Sequence, residues 1–78
     1  MNNICKNIFK AIHEGKWLSI EYKNLDGKIT KYWIGIKDVD PKRKMLSVEG
    51  LHLSLYTILE MNIYIESIKK ASIIQGSY

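Results

Sequence analysis

The chain has 78 residues, 46% apolar and 26% charged, and twelve Lys and Arg against eight Asp and Glu give a net charge of +4. That length admits residues 1–78 as one small domain and excludes a cleft between two domains or a large multi-substrate enzyme. The apolar content excludes a disordered tail, and the charge reads either as a Lys-rich soluble surface or as attraction to nucleic acid.

The N-terminal residues do not read as a signal peptide, because Lys6 and Lys10 interrupt the apolar positions. No stretch approaches the ~18 apolar residues that a spanning helix requires. A cytoplasmic, non-membrane protein is expected. Residues 2–14 carry the spacing of an amphipathic helix, with Ile4, Cys5, Ile8, Phe9, Ala11 and Ile12 on one face. Asn2 or Asn3 can cap its start, and Gly15 can provide the left-handed stop. Cys5 is the single cysteine, sits in the apolar stripe, and reads as a structural thiol.

Residues 17–24 and 28–37 each alternate with period two, around a hairpin signal at Asp26-Gly27. Two registers compete. A two-residue loop would group Leu18, Ile20 and Tyr22 with Lys31, Trp33 and Gly35. A three-residue loop, residues 25–27, groups them with Tyr32, Ile34 and Ile36 and is favoured by burial. Trp17 and Trp33 then share the other face with Ser19, Glu21, Lys23 and Lys31.

Residues 38–44, with Asp40-Pro41, read as a turn. Residues 45–50 read as a third strand. Residues 51–61 fit both strand and helical spacing, and an irregular or 3₁₀ connection is expected there. Residues 62–66 read as a fourth strand, residues 67–70 as one helical turn, and residues 71–75 as a short closing strand. One helix followed by five antiparallel strands predicts an α+β, mainly β domain of the SH3-like or Sm-like small-barrel kind.

No catalytic or metal-binding pattern is legible in the sequence. His13 and His52 stand apart without partnering Cys or Glu at ligand spacing, and both read as structural or solvated. The five glycines are dispersed and form no phosphate-cradling loop. Asp38 and Asp40 fit a turn better than a carboxylate pair. The reading is a non-enzymatic domain without cofactor or metal.

A binding surface remains. Lys42, Arg43 and Lys44 form a compact basic run, and Lys69 and Lys70 form a second. These are either solvated turns or contacts to a phosphate backbone. Trp17, Trp33 and Tyr64 either offer stacking faces beside Lys23 and Lys31 or, for the tryptophans, pack beneath the helix.

The run from Ile12 through Asn24, containing Gly15-Lys16-Trp17-Leu18-Ser19-Ile20-Glu21-Tyr22, resembles the opening of WYL domains, as does the Asp26-Gly27 hairpin. Residues 63–71 are similar to that family's last strand and turn. The likeness spans about residues 8–75. It implies a small Sm/SH3-like barrel of the kind found in bacterial transcription regulators and beside helicases or nucleases. The family's naming triplet would fall at Lys44-Met45-Leu46, which keeps only Leu46. Tyr64 and Ser67 stand where the family's string carries arginines, and arginine is hard to replace at a bidentate phosphate contact. The resemblance therefore implies the fold more firmly than the ligand site.

The function expected is an accessory or regulatory module, part of a longer DNA-processing or regulatory protein. It would bind single-stranded DNA or RNA, or a nucleotide-type ligand. The candidate residues are Lys42, Arg43, Lys44, Lys69, Lys70, Tyr64, Trp33 and Lys31. The alternative is a module that docks on another protein or domain, or forms a homodimer, through the apolar residues between Leu51 and Met61.

Overall fold

The computed structural model describes residues 3–75. Helix α1 runs Asn3–Glu14, which matches expectation; residue 2, the alternative cap, lies outside the described residues. Gly15 stops the helix at φ 66°, where its lack of a Cβ avoids strain. The Gly15 amide donates to the Ile12 carbonyl (3.3 Å) and the Lys16 amide to the Ala11 carbonyl (2.9 Å), the paired bonds of a Schellman cap.

Strands β1 (Leu18–Lys23) and β2 (Ile29–Asp40) form the hairpin in the three-residue register. Leu18 faces Ile34 and Ile20 faces Tyr32. The Asn24 amide donates to the Lys28 carbonyl at 2.8 Å, and Gly27 takes φ 87°. The competing two-residue register would have turned Lys31 inward, and burial decides against it.

The elements after this hairpin differ from expectation in three places. β2 does not end at residue 37. A bulge at Lys37 shifts the register, and Asp38–Asp40 continue the strand opposite Ser47, Leu46 and Met45 of β3 (Met45–His52). The extra residue restores Val39 to the core face, so a break in alternation that reads as a strand end is a bend instead. The turn is confined to residues 41–44. Second, residues 51–61 are not an irregular connection. β3 extends to His52, a four-residue turn follows, and β4 runs Thr57–Tyr64. His52 holds that turn: its Nδ1 accepts the Leu55 amide at 3.3 Å. Third, the 3₁₀ turn lies at Ile65–Ser67, and β5 begins at Ile68 and ends at Ile73. Lys69 and Lys70 therefore lie on a strand, not on a turn.

The sheet order is β4-β3-β2-β1-β5, all antiparallel. Laid flat, its edge strands would stand about 19 Å apart, four spacings of ~4.8 Å. Three 3₁₀ residues join those edges, and they reach at most about 14 Å. The sheet must curl, and the Tyr64 amide of β4 comes within 3.5 Å of the Tyr22 hydroxyl of β1. The result is a small barrel-like α+β fold. Leu18, Ile20, Ile34, Leu46, Val48, Ile63 and Ile68 fill its interior, closed on one side by Ile8 and Ala11 of α1. Asn7 fixes the helix to the sheet, its Nδ2 donating to the Ala71 carbonyl at 2.8 Å.

Candidate nucleic-acid interface

Turn 41–44 is built around Asp40. Its Oδ1 accepts the amides of Lys42 (3.1 Å) and Arg43 (3.2 Å), and Oδ2 lies 3.8 Å from the Arg43 Nε. Lys44 adopts φ 54°, a left-handed conformation unusual outside glycine. Its carbonyl accepts the Ile65 amide at 2.9 Å, which ties the turn to the 3₁₀ segment. Lys42, Arg43 and Lys44 are all exposed. Arg43 is partly neutralised; Lys42 and Lys44 make no ion pair among the described residues.

Barrel closure brings further candidates to this end. Tyr64 pairs with Met45 next to the turn and keeps 45% of its surface exposed. Through Tyr64, the turn meets Tyr22, which sits opposite Ile68 at the start of β5. Lys69, the extra residue where the β1–β5 register shifts, follows directly and is exposed. Lys42, Arg43, Lys44, Tyr64 and Lys69 thus belong to one end of the barrel, with Asp40 and Glu66 as the acids in those segments.

Lys31, Trp33 and Lys70 lie on the outer face of the sheet formed by β2, β1 and β5. Trp33 lies on the outer sheet face between Ser19 and Leu51, 37% exposed. Lys31 sits opposite Glu21, and the Lys70 ammonium is 3.8 Å from the Glu21 carboxylate. Glu21 is the acid between these two lysines, and Lys70 directly follows Lys69, so this group adjoins the barrel end through β5. Trp17 lies at the junction of α1 and the sheet. It is half-buried, with its indole against Gly35 beside Ala11 and Ile12.

Two shallow pockets, one of about 210 Å³ by Lys37 and Glu60 and one of about 140 Å³ by Trp17, fall below the ~300–1,000 Å³ usual for enclosed small-molecule sites. Among the described residues, no three His, Cys, Asp or Glu side chains converge on a metal position. Among the described residues, no helix is long and apolar enough to cross a membrane. Apolar side chains are exposed on and after the β3–β4 turn, at Leu55, Tyr56, Ile58 and Leu59. The dense apolar spacing there was legible in the sequence; the strand that carries part of it was not. No protein-family model matches the chain, and no curated protein matches it.

Proposed function

We propose that this chain is a non-enzymatic, WYL-like binding module that holds single-stranded nucleic acid at the basic end of its barrel. The observation that supports this reading is the convergence, at one end of the barrel, of the segments that carry Lys42, Arg43, Lys44, Lys69 and the exposed Tyr64. The lysines and Arg43 attract the phosphate chain, and the tyrosine ring offers a base one stacking face, worth about 1–3 kcal/mol. On this reading the module works in the cytoplasm as one part of a longer DNA-processing or regulatory protein, in keeping with the resemblance.

The test is titration of labelled single-stranded DNA, RNA and duplex DNA at low and physiological salt. Single strands should bind more tightly than duplex, and affinity should fall steeply as salt rises. Changing Lys42, Arg43 and Lys44 together to Glu should lower affinity at least tenfold. Unchanged affinity in that variant removes the turn from the site. The docking alternative is favoured by the exposed apolar residues of the β3–β4 hairpin, and its association should be insensitive to salt.

A further inference from the structure

The β3–β4 turn, residues 53–56, is held in part by a side chain that can change charge. The imidazole Nδ1 of His52 accepts the Leu55 amide at 3.3 Å. The other bonds are made by the backbone or a hydroxyl. The Tyr56 amide donates to the His52 carbonyl (2.7 Å), the Leu53 amide to the Lys31 carbonyl (3.4 Å), and the Thr57 hydroxyl to the Leu55 carbonyl (3.2 Å). The turn closes against a backbone cost, because Tyr56 takes φ 51°, in the left-handed region that favours glycine. Leu55 and Tyr56 are 67% and 83% exposed, so burial does little to offset that cost.

The groups around the imidazole can be assigned strand by strand. His52 stands at the end of the inward-facing row of β3, after Leu46, Val48 and Gly50. From β2 the Tyr32 ring meets it edge-on, centroids 5.1 Å apart, and from β4 its pairing partner is Thr57. Thr30 and Leu59 hold the diagonal inward positions. Tyr32 is the titratable group among these, and burial keeps its phenol neutral where a histidine ordinarily titrates. The charged residues of these strands nearest the turn, Lys31, Glu49 and Glu60, occupy the alternate positions, on the outer face. No carboxylate stands at an inward position of β2, β3 or β4 to hold a positive ring.

We infer that His52 is a proton-sensitive latch on the β3–β4 turn. A neutral imidazole has one ring nitrogen free to accept, and here Nδ1 uses it to hold the Leu55 amide. Protonation makes both ring nitrogens donors, so the amide then faces an N–H and the bond is lost. The remaining bonds of the turn do not titrate in this range. The loss is therefore local: Leu55 is released, while the Tyr56 amide stays on the His52 carbonyl. The latch is independent of the nucleic-acid reading, because none of the residues that form it belongs to the basic end of the barrel.

The test is amide water-exchange by NMR on the ¹⁵N-labelled full chain, between about pH 8 and 5, the range in which histidine ordinarily titrates. Rates are normalised to those of an unstructured chain at each pH. Protection of the Leu55 amide should fall on the order of threefold or more as His52 protonates, its midpoint read from the His52 ring resonances. The Tyr56 amide should keep its protection. His13 is the internal control, since it is exposed on α1, which packs on β5 and β1. His52→Asn places a carbonyl oxygen on the same side-chain carbon and does not titrate; it should keep Leu55 protected across the whole range. His52→Phe keeps a ring against Tyr32 and removes the acceptor; it should leave Leu55 unprotected even at the upper pH. If that variant does not fold, the wild type and His52→Asn decide the matter between them. Protection that persists through the His52 midpoint overturns the latch. So does a loss that follows the His13 midpoint, or one that recurs in His52→Asn.

Discussion

Gly35 shows how one side chain can depend on the absence of another. It lies inside β2, where nothing in the backbone demands glycine, yet a Cβ there would stand 3.0 Å from Cε2 and 3.2 Å from Cζ2 of Trp17. The indole fills that space and joins the end of α1 to the sheet. Gly35→Ala should push Trp17 outward, costing about 1–3 kcal/mol as an overpacking change. Urea denaturation would give the loss, and a red shift of Trp emission would show its cause; an unchanged spectrum with unchanged stability would mean the ring yields freely. Sequence alone placed Trp33 on the outer face by alternation. It could not say that Trp17 finds a glycine, because that meeting depends on where α1 ends. Tyr32 makes a second residue-scale case. Burial, reinforced by Tyr22, holds its phenol above the ordinary value of 10.0. Above pH 10 the unfolded chain loses that proton first, so the fold loses stability as pH rises through the window that starts there. Tyr32→Phe keeps the ring, which meets His52 edge-on at 5.1 Å. It should leave stability near neutral pH almost unchanged and flatten the fall in melting temperature above pH 10. An equally steep fall would assign the alkaline loss to another group.

Elements were legible where one face is buried and a turn fixes the register. The Gly15 stop and the Asp26-Gly27 loop carry their own backbone chemistry, so α1, β1 and the start of β2 follow from local sequence. β4 carries no such signature. Ile58 and Leu59 are adjacent, and both are exposed, on opposite faces of an edge strand. Alternation records a buried face, and at the start of β4 neither face is buried. Leu51, Leu55, Ile58 and Leu59 then fit helical spacing by accident. The bulge at Lys37 misleads differently: it breaks the period without ending the strand. At β5, Lys69 occupies the position where the register with β1 shifts, so Lys69-Lys70 imitate a polar turn while lying within a strand. In each case the pairing is set by a neighbouring strand, and local spacing does not carry that information.

The whole molecule decides what local sequence cannot. Lys44 and Lys69 are 25 residues apart in the sequence, and only barrel closure through Ile65 and Tyr22 brings their segments to one end. The basic run itself was legible as a run; its meeting with the segments of Tyr64 and Lys69 was not, because that follows from the curl of the sheet. The same closure makes the fold a single cooperative unit. Ile8 on the helix and Ile63 on the last strand of the meander belong to one buried cluster, each 1% exposed. A domain of this size buries only about 60–65% of its unfolded surface, so its stability lies toward the low end of the ~5–15 kcal/mol common to folded proteins. Ile8→Ala should remove about 2–5 kcal/mol of it. If α1 were an ornament on a self-sufficient barrel, that change would release the helix and spare the strands. Because Ile8 shares the core with β1, β3, β4 and β5, the whole chain should unfold at lower denaturant in one step. Far-ultraviolet circular dichroism and Trp emission should then give coincident transitions in both wild type and variant. Separated transitions would show that the barrel stands without its helix.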